Sequence, residues 1–513
     1  MNLLGVLDTL SAAIWLVASW DVLLVIVVSA AYGMVVGAIP GLTATMAVAL
    51  IVPMTFYLSD VQAVAAIVTS VTCSIFAGDI PAILVRIPGT PASAAYAADG
   101  YALSQRGQHV LAISICMWFS VVGGLFGTLV LATMAPMLAR VAVQFTSYEY
   151  FWLYVLGLTC AVIVSDKSLW KGTCALLLGL LLSTVGLGTD FSAPRLTFGN
   201  DELITGISFI PAMIGLFGIS EVLRNVLTVD GNSTDLRSSP VAESIGQVFR
   251  SQVRPLLWRR KFHLVRSSAI GAFIGMLPGA GADIAAWISY AVSKRFSRKP
   301  EEYGHGSLEG MGDATGANNA ALGGAWIPAL VFGIPGDSVT AIAIGVLMMK
   351  NITPGPKIFD SAADPHQSAL VTSIYLVFIL ANLALIPLGM LSIHAGGYLV
   401  RIPRRVLLPL IVVFCTVGSY AMSASYFDVW VMLIMGIVGF FLERWKFPLG
   451  AIVLGLIMGG PLEHRLMQCL SKSSEWTSFF ASPISLSLGL VCVLLWVLPI
   501  LLPKRSIVPI QQL

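Results

Sequence analysis

The sequence IPAILVRIPGTPASAAYAADG, residues 80–100, sits among apolar runs yet carries Pro81, Pro88 and Pro91 together with Gly89 and Gly100. Pro88 has no backbone N–H to donate, and Gly89 permits dihedrals that end a helix. In hydrocarbon the backbone groups freed by such a break are costly, and they persist only where protein, water or a ligand satisfies them. A break after Ile87 would open the N-terminus of the following small-residue helix. That end bears positive partial charge and unpaired donors, which suit an anion. Thr90 and Ser93 add hydroxyl donors.

The surrounding chain is a membrane chain. Of its 513 residues 57% are hydrophobic and 11% charged, against about 25% charged in soluble domains. Apolar runs recur along the whole length, among them 22–36, 110–134, 369–391, 429–441 and 486–502. About ten to twelve spans are expected from the length needed to cross the bilayer. Charge is clustered. Arg86 is the first basic residue, whereas residues 250–266 (RSQVRPLLWRRKFHLVR) and 294–299 (KRFSRK) are strongly basic. By the positive-inside rule these face the cytoplasm. The net charge of +3 gives no nucleic-acid signature, and no basic soluble face is present to read one. The seven cysteines lack C-x-x-C spacing and the six histidines lack ligand spacing, so neither a metal site nor a disulfide framework is indicated. The N-terminus lacks the basic region of a signal peptide, so insertion is expected to be driven by the first apolar helices.

The opening stretch is written twice. IPAILVRIPG (80–89) matches IPALVFGIPG (327–336) at six of ten positions, and GAIPGLTATMA (from Gly37) matches GMLPGAGADIA (from Gly275). Two motifs in the same order in each half imply an internal duplication. The expected fold is an all-α polytopic membrane protein of two homologous halves, with discontinuous helices or re-entrant hairpins and, by analogy with duplicated carriers, inverted topology. The halves are placed at 1–236 and 267–513, the latter including C-terminal helices, with a basic cytoplasmic linker at 237–266. The apolar piece 267–277 is about 16 Å of helix, too short for ~30 Å of hydrocarbon, and basic residues flank both ends of its segment. A hairpin that enters and returns on one side explains both facts; a single kinked helix is the competitor.

Broken helices in duplicated halves meet at the substrate site of secondary transporters. The candidate substrate-binding residues are therefore Pro40, Gly41, Thr43, Pro88, Gly89, Thr90, Ser93, Pro278, Gly279, Asn318, Asn319, Pro335, Gly336 and Ser338. Buried carboxylates in a membrane protein point to function, which makes Asp79 and Asp283 candidates for coupling Na⁺ or H⁺, with Thr45 (the counterpart of Asp283) and Asn318 beside them. Each aspartate could instead be a helix cap, and the asparagines could be interhelical hydrogen bonders. Arg86 could meet a substrate carboxylate or snorkel to the interface.

At these motifs the sequence resembles the large membrane subunit of tripartite tricarboxylate transporters, the TctA family. The matching stretches are GAIPGLTATMAVALIVPMTF, the run from Ile80 to Gln108, GMLPGAGADIAAWISYAVSKRFS, and GANNAALGGAWIPALVFGIPGDSVTAIAIGVLMMKNITPGPKIF. The resemblance implies a bacterial inner-membrane, multi-pass importer of organic carboxylates, of the tricarboxylate and dicarboxylate class, driven by a cation gradient and needing no other cofactor. Its partners would be a small membrane subunit and a periplasmic substrate-binding protein, and a homodimer would suit such a scaffold. No Walker motif is present, in keeping with this. The chain departs from the family pattern in having Thr315, with Asp313 farther upstream, where an acidic residue is expected before the paired asparagines. Asp79 stands where a small polar residue is expected and could compensate. An intramembrane enzyme built on Asp79 and Asp283, or a passive anion channel, are the rival readings; no H-E-x-x-H or G-x-S-x-G motif supports the first.

Overall fold

The computed structural model describes residues 3–39, 42–164, 168–188, 193–226, 245–360, 364–399, 404–473 and 475–501. Pro40 and Gly41, two of the candidates above, lie outside them. The described chain is almost wholly helical; the exception is a pair of two-residue strands, Gly186–Leu187 antiparallel to Pro194–Arg195.

Two compact units form, and they cut across the repeat boundaries. One comprises residues 1–143 and 208–449, the other 144–207 and 450–513. The first unit opens with α1 (Leu3–Val17), α2 (Trp20–Ala38), α3 (Ala44–Thr55), α4 (Asp60–Ala77), α5 (Asp79–Val85), α6 (Ala97–Gln105) and α7 (His109–Ala142). The second unit begins with α8 (Ser147–Val164) and α9 (Leu169–Ser183). The chain then returns to the first unit through α10 (Phe209–Met213), α11 (Ser220–Val226), α12 (Ile245–Val248), α13 (Arg254–Arg259), α14 (Lys261–Gly275), α15 (Gly281–Phe296), α16 (Leu308–Phe332), α17 (Ser338–Met349), α18 (Pro365–Leu399), α19 (Arg404–Ser423) and α20 (Tyr426–Arg444). Helix α21 (Leu449–Lys472) leads back to the second unit, which ends with α22 (Pro483–Leu501).

Among the described residues six helical stretches are long and apolar enough to cross a membrane, and seven more apolar helices run 10–17 residues. Some of the short helices adjoin a break, as α17, twelve residues long, does just after Pro335–Gly336. Residues 227–244, the first part of the expected linker among them, lie outside the described residues, and the described part of the linker is 245–266. It is helical from Ile245 onward, and α14 already begins at Lys261.

The second unit holds itself together by helix crossings and polar clips. Gly179 of α9 lies against the backbone of Ile452, Arg195 pairs with Glu463 at 2.8 Å, and the Glu149 carboxylate accepts from the hydroxyls of Thr146, Ser482 and Ser485.

In the first unit equivalent segments of the two repeats fold alike. Glycines spaced by four let helices approach closely. A Cβ on Gly33 or Gly37 of α2 would stand 2.3 or 2.4 Å from the carbonyl oxygens of Ser70 and Ser74 in α4. One on Gly271 or Gly275 of α14 would stand 2.2 Å from those of Ala317 and Ala321 in α16. Each apolar arm then turns back as a hairpin. Tyr32 on α2 donates to the Ala47 carbonyl of α3 at 2.8 Å. The Arg266 guanidinium near the start of α14 lies over the Phe296 ring at the end of α15, 5.7 Å from its centroid. For 261–296 the hairpin, and not a single kinked helix, is the geometry found, with basic residues at both of its open ends.

The second motif ends its helix the same way in both halves. Helix α4 starts on a capping box between Ser59 and Gln62, and α16 starts on Ser307, whose hydroxyl accepts from the Gly310 N–H. At the far ends, Ile87 N–H bonds the Pro81 carbonyl and Ile334 N–H bonds the Pro328 carbonyl, at 3.3 and 3.2 Å. The residue between is left-handed in each, Gly333 at φ 70° and Arg86 at φ 58°. The long helices that follow pack against each other. Gly124 of α7 faces Asn382 of α18, and Met117 faces Gly389, so the two run antiparallel.

Candidate functional site

Three described backbone breaks, at Pro88–Gly89, Pro278–Gly279 and Pro335–Gly336, converge in the first unit. In the second repeat the later break folds back onto the earlier one, and in the first repeat the later break folds back onto Gly78 and the end of α2. Gly89 N–H donates to the Gly78 carbonyl at 3.1 Å, and a Cβ on Gly89 would lie 2.6 Å from the Gly78 Cα and 3.0 Å from the Gly37 oxygen. In the other repeat a Cβ on Gly336 would lie 2.7 Å from the Gly275 oxygen and 2.8 Å from the Ala325 Cα, and Gly279 N–H donates to the Gly336 carbonyl at 2.8 Å. Glycine is required at Gly89 and Gly336 by close approach, and at Gly279 by a φ of 79° as well.

The repeats then join across the site. The hydroxyls of Thr45 at the start of α3 and Ser338 at the start of α17 are 2.9 Å apart. Asp283, at the start of α15, accepts the Ala92 N–H at 3.0 Å through Oδ1. Thr45 and Asp283 are repeat counterparts, and their partners Ser338 and Ala92 lie one position apart in the repeat register. Trp287, one turn beyond Asp283, donates its indole N–H to the Pro91 carbonyl at 3.1 Å. The structure therefore brings together Thr43, Thr45, Pro88, Gly89, Thr90, Ser93, Pro278, Gly279, Asp283, Pro335, Gly336 and Ser338.

The opened helix ends are not bare, contrary to the simplest reading of the sequence. Thr90 and Ser93 cap one another, each hydroxyl accepting the other residue's N–H at 3.2 Å. Their counterparts Asp337 and Thr340 form a capping box, with Asp337 Oδ1 accepting Thr340 N–H at 2.7 Å. Thr43 caps α3 by accepting the Met46 N–H. Side-chain oxygens already sit where an anion would be received, and they mark the same donors.

Three carboxylates approach this region, and no Lys or Arg pairs with them among the described ion pairs. Asp283 is surrounded by protein and still exposes surface, as a residue lining an interior opening does. Asp337 lies close by, its Cβ 3.3 Å from where a Cβ on Gly281 would stand. Asp79 is buried beside Gly78; it accepts a 2.5 Å hydrogen bond from the Tyr96 hydroxyl and faces the Cys116 thiol. Asn318 and Asn319 are buried in α16 rather than at a break. Asn319 lies six residues, about 9 Å of helix, before Ala325, which Gly336 touches. Neither of its amide heavy atoms has a partner among the described residues, nor does Oδ1 of Asn318. Such buried amides are unusual and fit a polar ligand.

Thr315 does not stand in for a carboxylate here, since its hydroxyl donates to the Met311 and Gly312 carbonyls of its own helix. Asp313 is engaged elsewhere: it pairs with Arg266 at 3.1 Å and accepts from Ser293 at 2.7 Å. Arg86 is accessible at the break and left-handed.

Four residues of consequence were missed or underrated from sequence: Trp287, Tyr96, Asp99 and Asp337. Asp99 on α6 is fully buried; it accepts the N–H groups of Gly304, Gly306 and Ser307 at 2.8 Å each and the Tyr290 hydroxyl at 2.6 Å. It thereby fastens the polar insert of the second repeat to the first. The only available signal was an acid inside the apolar run AAYAADG.

The profile of the Tripartite tricarboxylate transporter TctA family matches residues 23–454. An uncharacterized 52.8 kDa protein encoded in the ttuC′ 3′ region of TAR-I in Agrobacterium vitis is 34% identical over 484 residues, 94% of each chain. An uncharacterized protein from the ttuC′ 3′ region of TAR-II in the same organism is 37% identical over 246 residues, which is 47% of this chain and all of the relative. No solved structure matches.

Proposed function

Because the chain belongs to the tripartite tricarboxylate transporter TctA family, we propose that it imports organic carboxylates through the site where the breaks converge, coupled to inward movement of Na⁺ or H⁺. It is a multi-pass membrane protein and the large subunit type of a tripartite system. On this reading it lies in a bacterial inner membrane and receives its substrate from a periplasmic binding protein, with a small membrane subunit alongside.

One observation carries the assignment: the breaks of both repeats meet, linked by Thr45–Ser338 and Asp283–Ala92. Equivalent positions have diverged in chemistry. The first repeat supplies Thr45 and Thr90 where the second supplies Asp283 and Asp337. A substrate carboxylate would take the place of the hydroxyl caps on the helix-start N–H groups of Met46, Thr90 and Ser93 and meet the freed hydroxyls of Thr43, Thr45 and Thr90. A cation is matched by Asp283, Asp337 and nearby backbone carbonyls, while the unpartnered Asn319 amide and Asn318 Oδ1 offer further polar groups deeper along α16. Asp79, shielded with Tyr96, serves this scheme as a second proton- or charge-bearing group. The antiparallel register of α7 and α18 supports inverted repeats, and their paired hairpins support alternating access by movement of broken segments around a fixed site.

The test is uptake into proteoliposomes containing this chain and its two partner proteins, with labelled citrate and C4 dicarboxylates. Accumulation above the external concentration, driven by an imposed Na⁺ or proton gradient and abolished by dissipating it, is expected. Equilibration without accumulation would indicate a channel, and recovery of chemically altered acid would indicate an enzyme; either result overturns the proposal.

A further inference from the structure

Between residues 244 and 282 the chain carries six Arg or Lys residues and no Asp or Glu. Arg250 is exposed, and the structure sorts the other five cations into two groups. Arg260 and Arg266 turn inward, where Arg260 pairs with Glu309 and both approach Asp313. Arg254, Arg259 and Lys261 are exposed and have no carboxylate partner among the described residues.

Alongside them runs an apolar stripe at helical spacing. Trp258 is 74% and Phe262 77% exposed, and exposed Val265 and Phe273 continue the same face toward the Pro278–Gly279 break. From Phe262 to Phe273 the stripe covers about 16 Å of α14, much of one leaflet, and Trp258 precedes it at the end of α13. At its head the Lys261 ammonium lies 4.8 Å from the Trp258 ring centroid and 5.3 Å from that of Phe262. Aromatic rings at this level with cations beside them are the arrangement of a membrane interface. Uncompensated positive charge over an apolar stripe is complementary to one occupant, a lipid with a negative headgroup.

We propose that this face binds an anionic phospholipid, its phosphate held by Arg254, Arg259 and Lys261 and its acyl chains lying along Phe262, Val265 and Phe273. The site depends only on the chain being embedded in a bilayer, and it is independent of the substrate site. It places the lipid on the arm whose tip forms one of the three described breaks.

Native mass spectrometry of the purified chain tests this, with phosphatidylglycerol and phosphatidylethanolamine of identical acyl chains titrated separately. The wild type is expected to retain phosphatidylglycerol preferentially. Each neutralised charge costs about fivefold in affinity, so the triple variant R254Q/R259Q/K261Q is expected to bind about a hundredfold less phosphatidylglycerol, with phosphatidylethanolamine unchanged. Arg298→Gln, exposed in the polar insert, is expected to keep the preference. Equal retention of both lipids by the wild type, or an unaltered preference in the triple variant, overturns the proposal. So does displacement of phosphatidylglycerol by millimolar inorganic phosphate, which would make the face a free-phosphate site. Should the triple variant not survive purification, the wild-type selectivity and the phosphate competition decide the matter on their own.

Discussion

Replacing Gly275 by alanine tests whether close helix approach sets the geometry of the site. The added Cβ would stand 2.2 Å from the Ala321 carbonyl oxygen, where ordinary contact begins at 3.4 Å. The obstacle is backbone, so α14 and α16 must part by about 1 Å. Overpacking of this kind costs about 1–3 kcal/mol, and the better helix propensity of alanine returns up to about 1 kcal/mol. A net loss of about 1–2 kcal/mol is expected. The functional cost is larger. Gly336 rests on the Gly275 oxygen and accepts from Gly279 at 2.8 Å, so a shift of about 1 Å takes that bond out of hydrogen-bond range. Thermal unfolding in detergent should show a lowered midpoint, and carboxylate uptake in proteoliposomes should fall disproportionately. Gly37→Ala, 2.4 Å from the Ser74 oxygen, should do the same in the first repeat. Gly450→Ala meets nothing within 4 Å and should leave both readouts unchanged. Wild-type midpoints and uptake for G275A and G37A would refute the reasoning.

Asp283→Asn keeps an oxygen for the Ala92 N–H but removes the charge; the unfolding midpoint should hold while the cation concentration for half-maximal uptake rises about 10- to 100-fold. An unchanged cation dependence would remove Asp283 from the coupling site. Asp99→Ala strips four donors of their acceptor and should cost at least about 3 kcal/mol, read as a lowered midpoint and faster proteolysis within 297–307, with Asp99→Asn less affected. Arg86→Gly puts glycine where the other repeat has Gly333; relief of a left-handed L-residue is worth about 1–2 kcal/mol, partly offset by glycine's flexibility when unfolded. A small rise in the midpoint is expected, and a fall would show that Arg86 is not strained.

The breaks were legible because Pro and Gly announce them locally. Pro88, Pro278 and Pro335 each lie where a helix stops, and the second hairpin followed from the shortness of residues 267–277. Capping was less legible: Thr90 and Ser93 read as free donors, yet each satisfies the other's N–H. Partners across the repeats were invisible, since Thr45 and Ser338 are 293 residues apart and Asp99 meets Ser307 from 208 away. The compact units were also unreadable, because they follow packing between distant helices and not the duplication that sequence displays.

The duplication and the site's asymmetry answer different needs. Matching close contacts, Gly37 on Ser74 and Gly275 on Ala321, give both hairpins the same mechanical footing. Two equivalent footings give a carrier two related arrangements of similar energy, which alternating access requires. Identical chemistry at both would bind two like ions and couple nothing. Thr45 opposite Asp283, and Thr90 opposite Asp337, break that equivalence where it matters. One pair of helix starts is neutral and rich in donors, the other is negative, and the two are joined by hydrogen bonds at 2.9 and 3.0 Å. An anion and a cation held across such a junction neutralise each other, so each favours binding of the other. Under the proposed function, that reciprocity would be the thermodynamic content of symport.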